Sequence, residues 1–218
     1  MTTEHTYLII YKPFQVLSQF SSPDGRKCLK DFFIVPANVY PVGRLDYDSE
    51  GLLLLTSDEA VNHRLLHPDF AHEREYWLQV EGMMDQPGLD KLQSGVPIGL
   101  GGKTYQTKAC QAAMLKDMLQ IAARHPPIRF RKNIPTSWIS LILQEGKNRQ
   151  VRKMTAAVGF PTLRLIRYRI ASLTITGLKP GESRILSRKS CYEKMQLDEK
   201  TVASIVGQGR RDTKTIRR

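Results

Sequence analysis

Four leucines in a row, Leu52 to Leu55, follow an acid-rich stretch, GRLDYDSEG, and this junction constrains the chain more than any other segment. The run is too short and too uniformly apolar for an amphipathic helix, so with Thr56 it is expected to form a buried strand. Whatever fold is adopted must assemble a core around the loop that precedes it. That loop carries Asp46, Asp48 and Glu50 in a chain whose formal net charge is +12. An excess of 33 Lys and Arg over 21 Asp and Glu points to a polyanionic partner, because each neutralised phosphate releases condensed counterions. Three carboxylates at the mouth of an apolar run need an explanation in such a protein.

The 218 residues suffice for one large domain or two small ones with a real core. No apolar run approaches the length of about 20 residues that a membrane span needs. MTTEHTYLII lacks a positive lead-in and a small-residue cleavage site, so no secretory signal is expected and the cytoplasm is the default compartment. Cys28, Cys110 and Cys191 are odd in number and far apart, which argues against a disulfide framework or a zinc ribbon. His63 and His67 stand i,i+4 with His72 beyond, but no Glu directly follows His63 and no cysteine is near, so zinc is not expected. GGKT (from Gly101, its GKT being Gly102 to Thr104) has Pro97 where a phosphate loop needs its leading glycine.

Strands are expected at YLIIYKP (from Tyr7), at Leu52 to Thr56, at REYWLQVEG (from Arg74), at TSWISLILQEG (from Thr136), and at LRLIRYRI followed by SLTITGL. A helix capped by Ser57 or Asp58 is expected to bury Ala60, Val61, Leu65 and Leu66 and to end before Pro68. A second starts near Pro87. A third covers Asn148 to Gly159 with Val151, Met154, Ala157 and Val158 inward, and a hairpin turns at Gly101 and Gly102. Strands outnumber helices and are mostly joined by turns, which predicts an α+β fold with a mixed, mainly antiparallel sheet and flanking helices. From Lys189 the strand pattern fades into a basic appendage, with one helix expected around Lys200 to Val206.

Basic residues cluster in RHPPIRFRKN (from Arg124), GKNRQVRK (from Gly146) and RLIRYR (from Arg164), each interleaved with apolar or aromatic residues, so these are expected as faces of folded elements. A glycine-started basic turn feeding a helix would offer backbone amides and Lys147, Asn148 and Arg149 to phosphate, with Gln150 and Arg152 facing a cleft. Among the acids, Asp46 follows a leucine and is the candidate for chemistry; a catalytic carboxylate needs a nearby cation to stay ionised, and Arg44 could share its face. Asp48 and Glu50 are expected to solvate the loop and cap backbone amides.

YKPFQVLSQF, GRLDYDSEGLLLLT, REYWLQVEG and LQEGKNRQVRKMTAAVGFPTLRLIR, in that order, resemble the pseudouridine synthases, in the branch that modifies bacterial ribosomal RNA. The resemblance spans about Tyr7 to Arg188. It implies a catalytic domain over residues 1–188, made of two subdomains around one RNA-binding cleft, with residues 189–218 appended and no accessory RNA-binding domain in front. The implied activity is conversion of a uridine of large-subunit (23S) ribosomal RNA to pseudouridine, without a cofactor or metal, by a monomer needing no protein partner. Asp46 falls on the family's essential carboxylate and Arg152 on the arginine that pairs with it. Tyr76 falls on the tyrosine that packs against the target base. Arg44 is left to fill the gap opened when the uridine swings out. Arg74 replaces the usual lysine and keeps its charge, and Lys147, Arg149, Lys153, Arg164 and Arg167 are the expected phosphate contacts. Two other readings carry weight: a glycoside hydrolase, which would need a second acid as indispensable as Asp46, and a non-catalytic ribosome-binding protein, which would have no use for a carboxylate facing RNA.

Overall fold

The leucine run forms the inner part of a strand with neighbours on both sides. The structure, a computed structural model, describes residues 4–67, 72–116, 121–128 and 134–197. In chain order the elements are β1 (Tyr7–Lys12), β2 (Tyr40–Pro41), β3 (Glu50–Thr56), α1 (Glu59–Leu66), β4 (Arg74–Glu81), α2 (Gln86–Ser94), β5 (Pro97–Leu100), β6 (Lys103–Gln106), β7 (Gln111–Met114), β8 (Thr136–Leu143), α3 (Gln150–Ala157), β9 (Thr162–Ile170), β10 (Leu173–Thr174), β11 (Ser183–Leu186) and α4 (Arg188–Lys194). The main sheet runs β11-β1-β3-β9-β4-β8-β7, with β2 added to β3 and β10 to β9. Its pairings are antiparallel except β3 with β9, so the predicted mixed, mainly antiparallel α+β architecture is what forms.

Every residue of β3 is buried, because the sheet is covered on both faces at this point. Leu52 and Leu54 pack with Trp77, Ile166, α1 and α4, whereas Leu53 and Leu55 pack with Leu8, Ile10, Val16, Leu29 and Phe33. Each buried leucine contributes about 1.5–3 kcal/mol, enough to hold the start of the strand fixed. The parallel crossing demands a glycine at its first step. Gly51 lies opposite Arg167 with φ +107, and a Cβ there would meet the Arg167 carbonyl oxygen at 2.3 Å. The glycine expected in a loop is thus the point where β3 enters the sheet.

A second cluster joins β4, β8 and β9 to α2, α3 and the small β5-β6 hairpin through Leu78, Ile139, Leu141, Leu165, Leu89, Leu92 and Met154. The hairpin turns at Gly101 and Gly102 as expected. α1 is capped by Asp58, whose Oδ1 accepts from the Ala60 and Val61 amides.

Several expectations fail at element ends. Leu66 is 50% exposed, because the helix finishes there and its last turn rotates off the sheet. α3 starts at Gln150, not Asn148, since Arg149 takes a left-handed conformation (φ 51) that cannot continue a helix, and Ala157 is exposed. The SLTITGL strand shortens to Leu173–Thr174, and β11, which pairs with β1, carries no alternating signal.

The boundary expected at Lys189 falls inside the fold. Cys191, Tyr192, Met195 and Leu197 enter the core beside β1 and α1, and the Tyr192 hydroxyl donates to Asp58 Oδ2 at 2.8 Å, as Tyr7 does at 2.6 Å. The basic charges flanking these positions disguised an ordinary amphipathic turn. The helix expected over Lys200 to Val206 lies outside the described residues, as does part of the basic stretch from Arg124 to Asn133. Among the described residues no helix is long and apolar enough to cross a membrane.

Candidate active site

The loop before β3 is held from below by a residue not singled out in the sequence. Ser18 Oγ donates to the Leu45 carbonyl at 2.8 Å and accepts from the Leu45 amide at 3.0 Å, which fixes the backbone next to Asp46. The Ser49 amide then closes a turn onto the Asp46 carbonyl at 3.0 Å. This presents Asp46 to an open cleft of about 570 Å³ between the β3 loop, β4 and the start of α3. Arg44, Arg74, Tyr76, Lys147, Asn148, Arg149, Gln150, Arg152 and Arg167 line the same cleft, so residues far apart in sequence are brought together.

The ionic pattern departs from expectation. Asp46 has one guanidinium contact among the described residues, Arg149 Nη1 at 3.5 Å. Asp48 receives Arg149 in bidentate form, Nη1 to Oδ1 and Nη2 to Oδ2, both at 2.9 Å. Arg152, expected on Asp46, also turns to Asp48: Nη2 donates to the Asp48 carbonyl at 2.7 Å and Nε lies 3.4 Å from its carboxylate. The turn closed by Ser49 folds Asp48 back toward the beginning of α3, making it the nearer acid. Burial pushes the Asp48 carboxyl up, but the Arg149 hydrogen bonds and the charges of Arg152 and Arg149 outweigh it and hold the group below its ordinary value. Burial draws the Arg152 guanidinium down against the pull of Asp48.

Glu50 is not a solvated loop residue either. It is 1% exposed and accepts Arg164 Nε and Nη2 at 2.8 Å each, the Arg164 side chain being 6% exposed. Arg164 is therefore unavailable to phosphate. A charged pair at this depth persists only because both partners are fully matched. Arg167, also expected on phosphate, is buried beneath Tyr76 and donates from Nε to the Leu52 carbonyl at 2.8 Å. Gln150 is buried as well: its Nε2 donates to Glu145 and its Oε1 accepts from the Lys147 amide at 2.9 Å, so it shapes the basic turn. Arg74 ties β4 to the end of α1 through the His72 and Leu65 carbonyls. Lys153 is half-buried and stands outside the lining residues of the cleft. Arg44, Lys147, Asn148 and Arg149 are exposed at its mouth.

Beneath the acids lies Lys12, also not anticipated. It is 0% exposed, with Nζ donating to the Pro13 and Val16 carbonyls, and burial draws it from 10.5 to about 7 against the opposing charges of Glu50 and Asp48. A lysine ending an otherwise apolar strand, directly before a proline, was the available signal.

The sequence pattern of the RNA pseudouridylate synthase family matches residues 6–157, which include Asp46, Tyr76 and Arg152. The chain belongs to this family. The synthase is 44% identical over 187 residues to ribosomal large subunit pseudouridine synthase E of Vibrio vulnificus (strain CMCP6), covering 86% of this chain and 77% of that protein. It is 45% identical over 175 residues to the protein of the same name from Xanthomonas axonopodis pv. citri (strain 306), covering 79% and 90% respectively. A solved pseudouridylate synthase superposes with a TM-score of 0.70 at 27% identity, over 88% of this chain and 74% of that one. The fold and enzyme class implied by the four sequence blocks are therefore those of the synthase.

Proposed function

We propose that the protein isomerises a specific uridine of large-subunit (23S) ribosomal RNA to pseudouridine, with Asp46 as the essential carboxylate. The observation that carries this reading is the position of Asp46: it is the half-exposed acid of the cleft whose contact to a cation is loose, at 3.5 Å from Arg149, while Asp48 and Glu50 are committed to arginines. The reaction breaks the bond from ribose C1′ to uracil N1 and forms one from C1′ to C5; C5 gives up its proton and N1 takes one. No atom is lost and no electron is transferred overall, so the cleft has to supply only a carboxylate, a surface for the base and control of two protons.

Reaching that bond requires extruding the nucleotide from the RNA stack, at a cost of a few kcal/mol. Lys147 and Asn148 at the mouth, with Arg44, are suited to the flanking phosphates and to the gap left behind, while Arg149, expected there too, has its guanidinium on Asp48 and adds only positive potential. Tyr76 offers a π face worth about 1–3 kcal/mol to the extruded base. Arg152, held against the loop, supplies positive potential near Asp46 without touching it. A ribosomal RNA substrate puts the synthase in the cytoplasm, and the proposed reaction needs no second protein chain.

Asp46→Asn tests the reading directly. The folded variant is expected to bind ribosomal RNA and form no pseudouridine, measured by mapping the modified base in large-subunit RNA from cells carrying only this variant. Pseudouridine at wild-type level would overturn it. A wild-type protein that binds the RNA and modifies none of it would instead favour a pure binding role.

A further inference from the structure

Two guanidinium groups and two carboxylates meet at the cleft, and the short bonds are distributed unevenly between the acids. Asp48 takes both Arg149 nitrogens at 2.9 Å and fastens Arg152 through its own carbonyl at 2.7 Å. Asp46, two residues earlier, is left with one contact at 3.5 Å. A bidentate arginine engages the lone pairs of a carboxylate, and those lone pairs are what a nucleophile or base must use. At 3.5 Å the same cation still contributes field to the neighbouring acid while leaving its oxygens open.

We propose that Asp48 is the positioning residue of this reaction: by taking the close ion pairs itself, it holds Arg149 and Arg152 beside Asp46 while keeping them from capping it. This rests on Asp46 being the reactive group. The backbone agrees with the assignment. Arg149 sits in the left-handed region with φ 51, immediately before α3, a conformation that costs a non-glycine residue energy and that its paired side chain stabilises. The Arg152 side chain is only 14% exposed, so its place is set by the loop and α3 and not by solvent. If the charge of Asp48 is removed, the freed Arg149 has Asp46 as its nearest acid and closes on it.

Asp48→Asn is the decisive variant, assayed on an in vitro transcript of large-subunit RNA beside wild type. At saturating RNA, kcat is expected to fall by about tenfold or more, in line with the cost of a misplaced group near the chemistry. KM for RNA is expected to stay level or fall, because a negative charge has left a phosphate-binding rim. Adding Arg149→Ala to Asp48→Asn removes the capping cation and is expected to recover part of kcat, and Asp48→Glu is expected to retain most of it. Folding is checked by thermal unfolding, and Asp48→Glu together with the double variant decides the matter should the single variant be unstable. A kcat within twofold of wild type, an Asp48→Glu variant as slow as Asp48→Asn, or a double variant slower than Asp48→Asn would each overturn the proposal. An active Asp46→Asn would refute the functional reading beneath it, whereas an inactive Asp46→Asn beside a fully active Asp48→Asn refutes this inference alone.

Discussion

Glu50→Gln is expected to cost the fold about 3–5 kcal/mol, although a reader of the sequence would place this residue in a hydrophilic loop. The substitution keeps shape and volume and removes one charge. In the structure Glu50 is 1% exposed and Arg164 5% exposed, and the two make a fork with both bonds at 2.8 Å. A glutamine can accept one of those bonds. The other guanidinium edge would then face an amide NH2, and the positive charge would be left buried without its counter-ion. With a urea slope of about 1–3 kcal/mol per molar, a loss of this size moves the unfolding midpoint down by at least about 1 M. Glu50→Gln combined with Arg164→Met should cost less than Glu50→Gln alone, because the orphaned charge goes with its partner. An equilibrium urea titration by circular dichroism checks both. A single-variant midpoint within about 0.2 M of wild type, with the slope unchanged, would refute the reasoning, since the buried charge would then have found another partner.

Asp58→Ala is expected to cost about 2–5 kcal/mol, because it uncaps α1 and strands the Tyr7 and Tyr192 hydroxyls; limited proteolysis should then cut within Arg188 to Leu197 sooner than in wild type. For Lys12 the folded value is about 7 against an ordinary 10.5, so between these the unfolded chain holds the extra proton and the folded chain does not. Stability from this group therefore rises with pH across that window and is lowest below about pH 7; Lys12→Met is expected to flatten the rise, read from unfolding midpoints at several pH values, and an unchanged slope would count against a neutral Lys12.

Much of this molecule was legible because its strongest signals are local. The leucine run, the alternation of REYWLQVEG and the Gly-Gly hairpin each depend on side chains within a few residues, and the structure has them as β3, β4 and the β5-β6 turn. Arg152 in a cleft followed from the basic turn before its helix and Asp46 from the leucine it follows, whereas Tyr76 entered only through resemblance. What could not be seen was partner choice across long separations. Glu50 and Arg164 are 114 residues apart, Asp48 and Arg149 101, and nothing in either neighbourhood marks one acid as buried and another as paired. The left-handed Arg149 is similarly hidden, since no glycine or asparagine stands there to announce it. α4 was obscured by its own lysines and arginines, which dominate the composition while Cys191, Tyr192 and Met195 reach the core.

The sheet places the first strand made between partners that are made later. β1 lies between β3 and β11, Tyr7 shares Asp58 with Tyr192, and Gly51 can be seated only against Arg167 of β9. During synthesis Leu53 and Leu55 can pack at once against Leu8, Ile10, Val16, Leu29 and Phe33, whereas the face of Leu52 and Leu54 gains Ile166 of β9 only after more than a hundred further residues. The loop that carries Asp46 also lacks Arg149 and Arg152 until the C-terminal half has emerged, so a ribosome making this synthase finishes most of the work before the cleft is complete.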